Sequence, residues 1–289
     1  MEYALHVVIL CSIYVVLAVS LDLVAGRTGL LSVAHAAFFG LGAYASALLT
    51  LRFEVPFLLA LAAGVLLAVV ASTVLVVASL RLVDDYFVLA ALGFQITVQA
   101  VFSNWLSLTQ GPLGLANIAR PEFALAPWSP MVSMLLISGT LAAICWVSVR
   151  AITRSSFGLV LDGIREDEIY VQSLGKNPRP YKAAVLVVSA AFAAAAGSVF
   201  AHYATYIDPS SFTVMDSINM LSMVIIGGAG GRYGPMIGAI LLVTLSELLR
   251  FVGFPNAVTA HLVQVVYGAV MITVLILRPQ GIAGRYSIS

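Results

Sequence analysis

The feature that most constrains this chain is a succession of apolar runs, each long enough to cross a bilayer as a helix. Such a helix needs about 20 mostly apolar residues. Runs near 4–25, 30–51, 56–79, 86–106, 130–149, 183–204, 234–252 and 258–277 qualify, and a ninth, 214–229, is shorter and ends in a glycine-rich stretch, Gly227-Gly228-Ala229-Gly230-Gly231. The runs are continuously apolar, whereas outer-membrane strands alternate over about ten residues, so helices are expected. Composition agrees: 61% of residues are hydrophobic and 9% charged, with a mean hydropathy of +1.05. A soluble domain would carry roughly a quarter charged residues. The expectation is an all-α, polytopic membrane helix bundle of about nine spans (eight to ten), with residues 1–289 forming one transmembrane domain in a lipid bilayer. A formal net charge of +1 argues against a nucleic-acid partner, which would need a basic patch.

Lysine and arginine placement sets the orientation, because cytoplasmic loops collect positive charge. With nine crossings, Arg27, Arg81, Arg150, Arg154, Arg165, Lys176, Arg179, Lys182, Arg232, Arg278 and Arg285 fall on one side, and Arg52, Arg120 and Arg250 on the other. That bias places the N-terminus outside and the C-terminus inside. The opening MEYALHVVIL lacks a positive n-region and an obvious cleavage site, so it reads as a retained first span. The connection 107–129, with Pro112, Pro121 and Pro127 and with Pro130 just beyond, reads as an irregular, ordered outer cap.

Eight charged residues gather in GLVLDGIREDEIYVQSLGKNPRPYK, residues 158–182. Leu161, Ile164, Val171 and Leu174 recur at helical spacing, while Asp162, Arg165, Glu166 and Asp167 lie off that stripe. Gly175 ends the pattern, and Pro178 and Pro180 separate it from the next span. Residues 150–182 are therefore expected to form a cytoplasmic loop containing one short amphipathic helix. Spacing alone fits equally a solvated loop and a docking helix for a cytoplasmic partner.

Several blocks of sequence resemble the branched-chain amino acid permease family of ABC importers, LivM branch. They are Arg154-Ser155-Ser156-Phe157-Gly158 with Ile164-Arg165-Glu166-Asp167-Glu168 and Gly175; Thr28-Gly29-Leu30-Leu31-Ser32-Val33-Ala34-His35-Ala36-Ala37-Phe38-Phe39-Gly40-Leu41-Gly42-Ala43-Tyr44; Tyr86 to Gly93; Gly227-Gly228 through Gly234-Pro235; and Arg278-Pro279-Gln280-Gly281. They occur in the family's order over nearly the whole chain. The chain departs from the usual pattern at Ala34, at Gln110 and at Tyr170-Val171.

The resemblance implies a transmembrane subunit of a bacterial inner-membrane importer. Its partners would be a second, homologous LivH-like permease subunit, two cytoplasmic ATPases and an extracytoplasmic solute-binding protein. ATP and magnesium would be bound by the ATPases, and no cofactor or metal by this chain. Gly175-Lys176-Asn177 lacks both the upstream glycine and the hydroxyl of a phosphate-binding loop. The ATPase-coupling residues would be Gly158, Arg165, Glu166, Asp167, Glu168 and Gly175. The cargo implied is branched-chain or related small amino acids, with urea, short amides and small aromatic or carboxylic acids as the alternative.

Polar side chains inside spans are expensive and mark paths or interhelical contacts. His35, Gln95, Gln99 and Asn219 are the candidates for a translocation path, with Gly40, Gly42, Gly227 and Gly228 as places where the backbone can bend or pack closely. Gln95 and Gln99 share a helix face, and Glu247 and Arg250, three apart, are expected to pair near the outer surface. Cys11 and Cys145 read as small buried hydrophobes. Two other classes remain. A stand-alone carrier or channel would need ion-coupling acids or bases in the spans, of which there are few. An intramembrane enzyme would rest on His35 or His202, but no catalytic constellation is readable.

Overall fold

The computed structural model of the protein describes residues 2–82, 84–121, 129–251 and 256–284. Pro127 of the outer connection and Arg285 of the charge count lie outside the described residues. Twelve α-helices follow in order: α1 (Glu2–Thr28), α2 (His35–Phe53), α3 (Phe57–Arg81), α4 (Asp84–Asn104), α5 (Leu106–Thr109), α6 (Pro130–Arg154), α7 (Ser156–Glu166), α8 (Glu168–Ser173), α9 (Pro178–Ala204), α10 (Val214–Gly227), α11 (Gly234–Phe251) and α12 (Asn256–Leu277). Apart from the short α5, α7 and α8, these match the nine apolar runs one for one. Seven helices among the described residues are long and apolar enough to cross a membrane on strict criteria, the last of them α10 taken with the turn before it. No strand occurs among the described residues beyond one isolated bridge, Leu115 to Ile207.

Boundaries differ from the expected ones for local reasons. Pro178 occupies the first turn of α9 and the Asn177 side chain accepts the Arg179 N–H at 3.1 Å, a favourable helix start that needs no amide from proline. The helix therefore begins before residue 183, α6 runs on to Arg154, and the loop expected over 150–182 narrows to 155–177. Gly29, at φ +77°, ends the first helix, and α2 starts only at His35. Residue 34, at the N-cap, is alanine and offers no cap. Distant side chains serve instead. The Ala36 N–H donates to Ser217 Oγ at 2.9 Å and the Ala37 N–H to Gln95 Oε1 at 2.6 Å, satisfying donors that the first helical turn leaves open.

The core is a contact between α2 and α9, with α3 beside them and α1 linking this group to α6 and α11. A Cβ on Gly42 would lie 2.0 Å from the Ala194 carbonyl oxygen, and one on Gly197 would lie 1.9 Å from that of Phe39. The two backbones thus meet through small residues, as helices do where lipid gives no hydrophobic drive to associate. Ser198 Oγ donates to the Gly42 carbonyl at 3.1 Å.

One end of the bundle, the cap end, is closed by residues 105–121, as expected of an ordered connection. Leu115 and Ile207 exchange two backbone hydrogen bonds (2.8 and 3.0 Å), and His202 Nδ1 contacts the Ala119 carbonyl at 2.6 Å. At the opposite end, the loop end, Asp22 is buried in α1 and accepts the Gly230 N–H at 2.7 Å. The α10–α11 turn holding Gly230 is stitched to the C-terminal segment: the N–H groups of Ile282 and Ala283 donate to the carbonyls of Ile226 and Gly227 at 3.0 and 2.9 Å.

Two predictions follow from this packing. Gly42→Val places side-chain atoms inside the α9 backbone and is expected to lower stability by about 3 kcal/mol or more. Gly139→Ala, with nothing within 4 Å of its added carbon, should be neutral; heat-induced loss of the monodisperse detergent-solubilised protein compares them. By the same assay, Asp22→Leu strands the Gly230 N–H and should cost about 1–3 kcal/mol. Asp22→Asn keeps an acceptor there and should cost much less.

Candidate functional site

The charged loop folds as two helices rather than the single one expected. Asp167 is extended (φ −160°, ψ 105°) and its carboxylate caps α8 by accepting the Tyr170 N–H at 2.9 Å, so the chain breaks between α7 and α8 where an aspartate favours capping over helix continuation. Leu161, Ile164 and Val171 are buried as the stripe required, but Leu174 is 63% exposed. The break takes Leu174 off the common face. Val171 packs α8 onto α7: a Cβ on Gly163 would meet it at 3.0 Å.

Three contacts hold this pair to the membrane helices. Arg165 donates to the Gly26 carbonyl, one of the acceptors left open at the end of α1, where a cation also suits the helix dipole. Arg27 pairs with Asp162 at 3.2 Å, both largely buried, and Lys182 in α9 pairs with Glu168 at 2.5 Å. Gly158 crosses the end of α6 so closely that a Cβ would lie 2.4 Å from the Thr153 carbonyl. Gly175, at φ +76°, turns the chain after α8. Facing away from the bundle are Leu159 (72% exposed), Ile169 (79%), Tyr170 and Leu174, together with exposed Glu166 and Asp167. Of the pair Tyr170-Val171, then, one side chain points out and the other fastens the helix.

The cap end holds a cavity of about 780 Å³ between α1, α9, α10, α11 and α12. Its polar wall includes Tyr14, Asp216, Asn219, Glu247, Arg250 and Gln264; Leu10, Phe200, Met223, Val243 and Val263 supply apolar surface. Glu247 bonds to Arg250 at 2.9 Å, as the spacing predicts, and accepts the Tyr3 hydroxyl at 3.3 Å. Asp216 forms a reciprocal capping box with Thr213. Asn219, Tyr14 and Gln264 have no side-chain hydrogen bond to any described residue, so their polar atoms are available to a solute.

The residues expected along a path separate into two groups. Asn219 lines the cavity. The others lie elsewhere. His35 is buried and bonds Ser20 Oγ at 3.1 Å. Gln95 is fully buried, accepts the Ala37 N–H and donates to the Phe212 carbonyl at 2.9 Å. Gln99, half-buried on the same face, makes no side-chain hydrogen bond to a described residue. Gly40 faces the Phe102 and Phe212 rings, Gly42 meets α9, and Gly227 and Gly228 (φ +107°) pack against Gly234 and Gly284. Sequence reading overlooked Asp22, although an acid within the last turns of the first apolar run is itself a signal. It also overlooked Tyr14, which carries no such mark. No group of three or more His, Cys, Asp or Glu able to hold a metal ion occurs among the described residues.

Residues 3–275 match the family described as branched-chain amino acid transport system / permease component. The chain is 31% identical to the high-affinity branched-chain amino acid transport system permease protein LivM of Escherichia coli K12, covering 94% of this chain and 68% of that one. It is 27% identical to LivH of the same organism, covering 96% and 93%. Among solved structures, a chain of PsaBC from Streptococcus pneumoniae in complex with Fab superposes with a TM-score of 0.50 at 13% identity, covering 95% of this chain and 91% of that one, a likeness of fold. With a family match spanning residues 3–275 and 31% identity to a LivM protein over 94% of the chain, this protein belongs to the branched-chain amino acid transport permease family.

Proposed function

We propose that the chain is a permease subunit of an ATP-driven importer of branched-chain or related small amino acids in the bacterial inner membrane, with its N-terminus outside. The observation that carries this reading, beside the family match, is the α7–α8 pair. It is clamped to α1 and α9 by Arg165, Arg27–Asp162 and Lys182–Glu168, yet it presents Leu159, Ile169, Tyr170 and Leu174 outward. Large apolar side chains on an otherwise charged loop mark a protein contact. Two cytoplasmic ATPases binding ATP and magnesium would dock there, one on this subunit and one on a second, LivH-like permease subunit. A solute-binding protein would deliver cargo at the cap end.

The cap-end cavity is the vestibule in this reading. Its volume suits a small solute. Its lining has both charge signs for a zwitterion and aliphatic surface for a branched side chain. Asn219 and Tyr14 contact the solute, while His35, Gln95, Gly40 and Gly42 hold the helices that frame the path, and Gly227 and Gly228 form the turn at the inner end of α10.

Two experiments test this. Ile169→Asp with Tyr170→Asp alters only exposed side chains, so this subunit should still fold and pair with its permease partner. The ATPases should no longer co-purify, and leucine uptake by reconstituted proteoliposomes should fall at least tenfold; retained ATPase and uptake would remove the docking assignment. Asn219→Ala with Tyr14→Phe should leave assembly and basal ATP hydrolysis unchanged while lowering uptake at saturating leucine-loaded binding protein. Unchanged uptake would place the path elsewhere.

A further inference from the structure

Four arginines converge on one small cleft at the loop end, between α1, α6 and the α10–α11 turn. The cleft measures about 180 Å³, and Arg27, Arg150, Arg154 and Arg232 line it with Asp22 as the one acid in its wall. Asp22 is already engaged by the Gly230 N–H. Arg27 reaches Asp162 through Nη1, but its Nε is buried without a partner. Arg150, Arg154 and Arg232 make no ion pair with a carboxylate among the described residues. A general bias of positive charge toward one membrane face would scatter cations along it. Here they face a shared hollow instead, where Asp22 and the Asp162 partner of Arg27 offset only part of their mutual repulsion.

Aromatic rings hold two of these guanidiniums in place. Arg150 lies 4.8 Å over the Trp146 ring and Arg232 lies 4.9 Å over that of Tyr233, and the two rings stack at 6.0 Å with a 17° tilt. Planar guanidiniums fixed in this way offer paired N–H donors, the arrangement that suits phosphate oxygens. Tryptophan beside arginine also marks the level of lipid headgroups. One turn along α6, Ile144 and Val147 are 58% and 57% exposed on a span, giving acyl chains a surface next to the cleft.

We infer that this cleft binds the phosphate of an anionic phospholipid, its headgroup among Arg27, Arg150, Arg154 and Arg232 and its chains along Ile144 and Val147. A bound lipid at this position bridges α6 to the α10–α11 turn, and it neutralises charge directly behind the Arg27–Asp162 clamp of α7.

The test uses the full-length protein purified with its importer partners. Phosphatidylglycerol, but not phosphatidylcholine, should survive a detergent wash as a single adduct in native mass spectrometry and should raise the melting temperature. Millimolar inorganic phosphate should neither displace it nor reproduce the shift. Arg150→Gln with Arg232→Gln should weaken phosphatidylglycerol binding about twentyfold. Arg150→Lys with Arg232→Lys should retain most of it, and the exposed, remote Arg179→Gln should change nothing. Equal retention of the two lipids by the wild-type protein would overturn the proposal, and so would competition by phosphate alone. Loss of the ATPases from the glutamine variant with lipid binding intact would assign the arginines to a protein contact and equally overturn it.

Discussion

The structure depends on the closeness of two backbones. Where α2 and α9 cross, Gly42 and Gly197 bring each helix against a carbonyl of the other, and no side chain fits between them. In lipid, apolar side chains gain little by leaving one hydrocarbon surface for another, so such contacts rest on dispersion over a close fit and on polar links such as Ser198 to Gly42. The run Ala193 to Gly197 in α9 is therefore a packing surface. It fixes where α2 lies, and α2 in turn fixes everything that caps it.

That second step explains the buried polar residues. The first turn of α2 begins inside the bundle, beside Ser20 of α1, where its N–H groups have no water. Alanine at position 34 cannot cap them. Gln95 from α4 and Ser217 from α10 do so, and the Gln95 NH2 donates one of its two N–H groups to the Phe212 carbonyl. A buried amide that bonds three neighbours in this way rigidifies the helices around it. Asn219, two residues from Ser217, has its capacity unspent and faces a cavity. Polar side chains two residues apart on α10 thus differ in role: Ser217 caps α2, while Asn219 lines the cavity.

Most of the architecture was legible in the sequence because a bilayer admits few solutions: each of the nine apolar runs became a helix, and seven among the described residues are long and apolar enough to span. The ordered cap and the Glu247–Arg250 pair were also readable, the latter from spacing alone. What was not legible depended on long-range geometry. The stripe Leu161–Leu174 predicts one helix, and only the competition between capping by Asp167 and helix continuation splits it, leaving Leu174 exposed. The glycines could be named from sequence but not sorted. Gly42 meets a backbone and Gly40 meets aromatic rings, and nothing local distinguishes the two. Asp22 lay in plain view, but its meaning came from Gly230, more than two hundred residues away.

These contacts make a continuous mechanical route between the two ends of the protein. Arg165 of α7 holds the last turn of α1 at Gly26; one turn back, Asp22 holds Gly230 in the turn that follows α10; α10 then carries Asn219 to the cavity wall. The links are hydrogen bonds and segments of helix joined by the short turn from Gly228 to Gly230, and α10 is only 14 residues long, about 21 Å. The glycine-rich turn does not weaken this route, because Gly227 and Gly228 are held by the C-terminal segment through the amides of Ile282 and Ala283. Contiguity of this kind permits coupling without proving it. Among the helices that line the cavity, α1 and α9 make the main contacts with α7, and the small-residue seam of α9 against α2 resists sliding.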